Sequence, residues 1–396
     1  MLALELDGDR LDQRIVREGV LDPPANRLDQ VEELVGFPLG VAVEKDVRED
    51  LFIPLVEFVE EHIGEYTRMP ATDRPPEVVV VGAASRDLAA DDPRGWRLGG
   101  AVTYSAFTLA RLGLRVGALV GVDREAARAR ELEWLRDAGV DLRAASLASG
   151  PVFDNVEQPA GRRQVAHAAS GLLLPTTVPA GWLGSAAWIL APVAGELQGD
   201  WAAAPSQEAI VAVGWQGLLR EVRAGEPVRG LTPRASPLLA RADLVGVSRG
   251  DLPPDQALDD LCRFLRPGAT LLVTAGEDGG LVAEVGPDGP RRLYRYPAVP
   301  ADRSVDPTGA GDVFLAAVLA ARARPGLVGG RIGQRHDLLL GAVVASLVVE
   351  ASGLDGVPDR AAVRRRLART MDARRGSGRM GTLHDGEESG GGTSVR

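Results

Sequence analysis

The chain has 396 residues, 45% of them apolar and 25% charged, ordinary globular values that supply a sizeable core for one large α/β domain with additions. A formal net charge of −10 argues against general affinity for nucleic acid or for an anionic membrane, and the single cysteine, Cys262, excludes an internal disulfide. The first residues, Met1 to Asp7, carry no basic region ahead of a long apolar stretch, and the most apolar later run, Leu338 to Val349, is too short to span a bilayer, so a soluble, cytoplasmic protein with no membrane partner is expected.

Residues 1–76 read as an amino-terminal extension. Within it, Leu51, Leu55, Phe58, Val59 and Ile63 recur among acidic residues at a spacing that predicts an amphipathic helix between Val47 and Tyr66. Such a helix must bury its stripe on its own domain or on a second protomer, which makes a homodimer a candidate assembly. Met69 opens a proline-rich lead and is a candidate start of the protein.

From Glu77 the pattern changes. Val78 to Gly82 is a continuous β-branched run, as expected of a strand covered on both faces. Ser85-Arg86-Asp87 follows at its carboxyl end, where open α/β sheets bind ligands. Gly99-Gly100 leads into a helix from Ala101 that Gly113 closes, and Val116 to Val122 reads as the next strand, with Asp123 at its end. A helix from Arg124 to Ala138, ended by Gly139, precedes a strand at Val140 to Leu142. Val152 to Gln158 and Arg162 to His167 flank the turn Pro159-Ala160-Gly161 as a β-hairpin.

Further short strands fall at Ala187 to Ala191, Ile210 to Gly214 and Leu271 to Ala275, the last with a glycine-rich turn at Gly276 to Gly280. Gln216-Gly217-Leu218-Leu219-Arg220 follows the second of these, and Ser248 and Asp251 lie in the stretch Asp243 to Asp251. Helices are expected at Leu258 to Leu265, with Cys262 inside, and at Asp337 to Ala351. A last helix starts at Val357-Pro358 with Val363, Leu367 and Met371 on one face and Arg364 to Arg366 mostly outside. Residues 372–396 read as a disordered glycine- and serine-rich tail.

Val305-Asp306-Pro307-Thr308-Gly309-Ala310-Gly311-Asp312 is the stretch with chemistry in it. Pro307 keeps Asp306 out of a helix, Thr308 is a candidate N-cap, and an apolar helix-forming run begins at Val313. Gly309, Ala310 and Gly311 then fall in the first turn, where backbone N–H groups lack partners and the dipole is positive, a cradle for an anion. Asp312 is placed to accept a proton from an attacking hydroxyl, and an anion cradle beside a base is a phosphoryl-transfer arrangement.

The block Asp306-Pro307-Thr308-Gly309-Ala310-Gly311-Asp312 resembles the signature of the PfkB, or ribokinase-like, carbohydrate kinase family, and Gly99-Gly100 before a helix, Leu112-Gly113 and a strand ending Val120-Gly121-Val122-Asp123 resemble its other signature. The resemblance covers residues 77–371 and implies a ribokinase-like α/β fold, a mainly parallel central sheet flanked by helices, with a small β-lid around residues 84–100 and 150–168. It implies an ATP-dependent kinase acting on a hydroxyl of a sugar or polyol, with Asp312 as base and Gly309, Ala310 and Gly311 as anion hole. Asp87, Gly99, Gly100 and Tyr104 would meet the substrate, with Tyr104 where many relatives carry asparagine. Thr274, Gly276, Asp306 and Thr308 would meet the nucleotide, and Ser248 and Asp251 replace the asparagine and glutamate that place magnesium through water. ATP and Mg2+ are the implied cofactors, with a monovalent cation as a further candidate. A nucleoside kinase of the same fold and a catalytically silent sugar- or nucleotide-binding regulator are the alternatives.

Overall fold

The structure, a computed structural model, describes residues 75–158, 161–327 and 335–376; all belong to the unit Thr72–Arg396. The expected helix at Val47 to Tyr66, the candidate start at Met69, most of the hairpin turn and the tail beyond Gly376 lie outside the described residues.

In chain order the elements are β1 (Val78–Ala83), β2 (Ser85–Leu88), β3 (Trp96–Gly99), α1 (Ala101–Leu112), β4 (Val116–Val122), α2 (Arg130–Asp137), β5 (Asp141–Ser146), β6 (Val152–Gln158), β7 (Gly161–Ala168), β8 (Ala187–Leu190) and β9 (Ile210–Gly214). Then come β10 (Arg220–Glu221), β11 (Glu226–Pro227), β12 (Arg229–Gly230), α3 (Pro237–Arg241), β13 (Leu244–Ser248), α4 (Leu258–Cys262), β14 (Thr270–Thr274), β15 (Gly280–Val285), β16 (Pro290–Tyr296), α5 (Ala310–Ala323), α6 (His336–Val348) and α7 (Arg360–Gly376). Short single turns of 3₁₀ helix punctuate the connections, at Gln216–Leu218 and Arg249–Asp251 among others.

Nine strands form the central sheet in the order β16-β15-β14-β13-β9-β8-β1-β4-β5. The run from β14 to β5 is parallel, and β15 and β16 close one edge as an antiparallel meander. The parallel direction gathers the carboxyl ends of seven strands on one edge, and that edge carries the site. Because β1 lies inside the sheet with helices over it, all four of its valines are fully buried. Each contributes roughly 1.5–3 kcal/mol of transfer free energy.

One layer on the sheet is built from α1, α5 and α6, with Val102, Phe107, Phe314, Val318, Val343 and Val344 in its core. The other is built around Trp188, Trp201 and Trp215. Gly341 has its place in the first layer: a methyl group there would come within 2.8 Å of the Phe314 ring, so α6 can lie close on α5 only without a side chain at that point. A second sheet of five strands, order β11-β7-β6-β2-β3, stands over the carboxyl edge. It packs through Phe153 and Ala166 against Val193, in the connection after β8.

Several boundaries differ from the sequence reading. The segment from Arg124 breaks into a 3₁₀ turn and α2, because Ala129 is extended and only Arg130 onward is helical. The helix at Leu258 stops at Cys262, with Cys262 buried as expected. The last helix runs to Gly376, five residues into the stretch expected to be disordered. Among the described residues no helix is long and apolar enough to cross a membrane.

Candidate active site

The turn at Asp306 is fastened from behind. The backbone N–H groups of Val305 and Asp306 both donate to Val349 O at the end of α6, at 2.7 and 3.2 Å. The Asp306 carboxylate accepts from the N–H of Thr308 (2.9 Å) and from that of Gly353 (3.1 Å). Thr308 is therefore not the N-cap that the sequence suggested. Its N–H is drawn back to Asp306, and Gly309 takes the cap position in the left-handed conformation, φ 80°. A methyl group at Gly309 would overlap the ring of Tyr104, which α1 brings against the turn. Tyr104 is 2% exposed, so its ring braces the cradle.

Helix α5 begins at Ala310 with Asp312 in its first turn. The Ala310 N–H donates to Pro307 O at 3.2 Å, and a methyl group at Gly311 would meet nothing within 4 Å. The cradle is thus open at Gly311 and closed at Gly309. Burial pushes the Asp312 carboxyl up to about 7, against a lowering by the Arg220 guanidinium, and the neighbouring Asp251 carboxylate adds to the rise. The side chain keeps partial contact with solvent. A carboxyl of this kind is half ionised near neutrality, which suits a general base.

Asp251 sits at the end of the 3₁₀ turn that follows β13. Ser248 caps that turn by accepting from the N–H of Gly250 at 3.2 Å, so a serine in this place organises the backbone that presents Asp251. Gln216 Nε2 donates to both Asp251 oxygens at 3.2 Å, and an Arg220 guanidinium nitrogen lies 3.3 Å from one of them. Among the described residues no group of three or more His, Cys, Asp or Glu could hold a metal ion. Both oxygens of Asp251 are engaged by protein donors, so a magnesium ion here would be met through water and not by direct ligation. Thr274 is the register partner of Ser248 on the adjoining strand, and its hydroxyl donates to Val247 O at 3.4 Å. Gly276 opens the next 3₁₀ turn with φ +57°.

Across the edge, Ser85 Oγ donates to Asp87 Oδ1 at 3.1 Å, and a methyl group at Gly99 would fall 2.8 Å from Ser85 Oγ and against the Asp87 carboxylate. Gly100, φ +97°, would touch Ala83 O at 2.6 Å if it carried a methyl, so the glycine pair seats the start of α1 on the end of β1. Asp87, Gly99, Gly100 and Tyr104 therefore line the β1 side of the edge, with Tyr104 reaching Gly309. Thr274, Gly276 and Asp251 line the β13–β14 side.

Three residues with no assigned role in the sequence reading shape this edge. Arg220 is one. Glu196, fully buried, accepts from the N–H groups of Ala83 (2.9 Å), Val193 (3.0 Å) and Ala194 (2.8 Å), tying the end of β1 to the connection after β8. Arg366 is the third: of Arg364 to Arg366, read as mostly outside, the first two are exposed and Arg366 is buried. Its side chain is 5% exposed and pairs with Asp302 (3.0 Å) and Glu350 (2.7 Å), while also donating to Pro300 O and Ser346 Oγ. No run of basic letters separates it from its exposed neighbours; only acidic partners far along the chain do.

The profile of the pfkB family carbohydrate kinases matches residues 254–360, which include the turn and Asp312. No curated protein matches the chain. Solved structures of like fold include a pyrophosphate-dependent kinase in the ribokinase family complexed with a pyrophosphate analog and myo-inositol, at 18% identity and TM-score 0.56, covering 73% of this chain and 99% of that one. A nucleoside kinase of Methanocaldococcus jannaschii matches at 18% identity and TM-score 0.54, over 75% and 99% of the two chains. Ribokinase from Giardia lamblia matches at 15% identity and TM-score 0.57, over 75% and 99%. At such identities these neighbours establish the ribokinase fold.

Proposed function

We propose, from the premise that this is a chain of ribokinase fold whose residues 254–360 are those of the pfkB family carbohydrate kinases, that it transfers the terminal phosphoryl group of ATP to a hydroxyl of a sugar or polyol. The observation that carries this reading is the head of α5: an open first turn at Gly311 beside a carboxyl, Asp312, raised by burial to about 7. The acceptor hydroxyl gives its proton to Asp312 as its oxygen attacks phosphorus. The N–H groups of Gly309 to Gly311 hold the phosphoryl oxygens in transit. Asp87 and the glycine pair form the acceptor side, Thr274, Gly276, Asp306 and Thr308 the donor side, and Asp251 meets the donor's magnesium through water. The five-stranded sheet acts as a lid that keeps out water, the competing acceptor.

The test is ATP consumption and product formation by the purified full chain against a panel of sugars, polyols and nucleosides, with pyrophosphate as a second donor and with or without potassium. Phosphorylation of a sugar or polyol that Asp312→Asn lowers roughly 10²–10⁴-fold supports the reading. A nucleoside as the only acceptor would move the substrate class, and no acceptor at all, or an undiminished variant, would overturn the assignment.

A further inference from the structure

The carboxyl edge at α5 holds two carboxylates, Asp312 and Asp251, beside a cradle whose task is to receive an anion. Both repel a phosphoryl donor, and the cradle's N–H groups supply only partial charges. One full positive charge is built into the same place. Arg220 lies 3.3 Å from Asp251 and acts electrostatically on Asp312. Its side chain, 18% exposed, is neither free in solvent nor sealed in the core.

The backbone that carries it is held at both ends. Arg220 pairs with Gly230 and Glu221 with Arg229, as β10 and β12 form a two-stranded ribbon. Leu231 N–H donates to Leu219 O at 2.7 Å, closing the base of this hairpin beside the site. The far end of the same hairpin is β11, the outer strand of the five-stranded sheet: Gly225 N–H donates to Ala166 O (2.7 Å) and Val228 N–H to Gln164 O (3.0 Å). A dozen residues, Arg220 to Leu231, therefore join the outer strand of that sheet to the guanidinium that neighbours Asp251.

We propose that Arg220 is a further catalytic residue, the charge that meets the phosphoryl group in transit, and that its hairpin ties its position to the five-stranded sheet. This rests on the kinase reading for its role in turnover, but the binding of an anion at Arg220 does not depend on which acceptor is used. Arginine suits the place because its guanidinium stays charged and its planar fork of N–H donors matches the oxygens of a phosphoryl group.

The experiment measures binding of inorganic pyrophosphate by calorimetry to the wild-type chain, Arg220→Met and Arg220→Lys, with unfolding curves to establish that each is folded. The expected result is a loss of at least about tenfold in affinity for the methionine variant and partial recovery with lysine, which keeps the charge and not the fork. With an acceptor in hand, kcat of the methionine variant falls roughly 10²–10³-fold with little change in KM for the acceptor. Pyrophosphate also slows amide exchange at Gly225 and Val228 in wild type and not in the methionine variant. Equal pyrophosphate affinity in wild type and Arg220→Met, or no binding by wild type, overturns the assignment, and unaltered exchange at Gly225 and Val228 overturns the link to the sheet. Arginine-dependent binding together with no phosphorylated acceptor would keep Arg220 as an anion-binding residue and reject its role in turnover together with the kinase reading.

Discussion

Asp312→Asn separates catalysis from stability in opposite directions. In the folded chain burial holds the Asp312 carboxyl near 7, above the ordinary 3.8. The folded state therefore binds this proton more tightly than the unfolded state does. Its contribution is fully favourable below the unfolded value and is lost as pH rises through the folded one, so the window runs from about 4 to about 7. A shift of this size corresponds to about 4 kcal/mol, at about 1.4 kcal/mol per pH unit. The side chain keeps contact with solvent, which screens the interaction and brings the expectation to roughly 1–3 kcal/mol. Asparagine keeps the shape and never ionises. Asp312→Asn should thus match wild type near pH 4 and exceed it at pH 8, with Tm higher by roughly 2–6 °C, while turnover drops roughly 10²–10⁴-fold. Thermal unfolding of both proteins at several pH values tests the first half, and wild-type kcat/KM tests the second through an acid limb near pH 7. A variant no more stable at pH 8 than at pH 4, relative to wild type, would show that burial does not hold this carboxyl high, and the argument for its role as base would fall with it.

Gly309 and Gly311 should respond differently to a side chain. Gly309→Ala places a β-carbon at φ 80° and against Tyr104, costing about 1–2 kcal/mol from the backbone alone, and should lower both Tm and turnover. Gly311→Val, into open space, should leave Tm of the order of wild type and abolish turnover by filling the cradle; equal effects of the two on Tm would contradict this division. Amides between Val152 and Ala168 should gain protection from hydrogen exchange when acceptor binds while β1 and β8 change little; no gain at saturation would make the small sheet a fixed ribbon. Arg366→Met should cost about 2–3 kcal/mol and speed exchange at the Val305 and Asp306 amides, whose bonds to Val349 O it supports at one remove; loss of stability without faster exchange there would confine Arg366 to packing α7.

How much could be read from the sequence depended on whether the cause was local. The valine run of β1, the closing Gly113 and Gly139, and the helix after Gly309 are fixed by short-range pattern and backbone preference, and each appears where expected. The cap at Thr308 was misplaced because its N–H answers to Asp306, and that carboxylate is itself fixed by Gly353, a partner that local spacing does not reveal. Arg366 reads as surface charge until Asp302 and Glu350 are brought to it by the folding of α6 and α7. The Gln216-to-Arg220 stretch stood out as a motif, yet its role appears only when β9 and β13 are neighbours and Asp251 lies across from it.

The contact between Tyr104 and Gly309 joins parts of the chain about two hundred residues apart. One belongs to α1 and the other to the turn before α5. The shape of the cradle is consequently an outcome of the whole tertiary assembly and not of the signature stretch by itself. A partly folded chain in which α1 has come away from α5 would keep every residue of the signature and still lack a formed anion site. Turnover would then report complete assembly, and donor would not be spent by intermediates that expose the base to water.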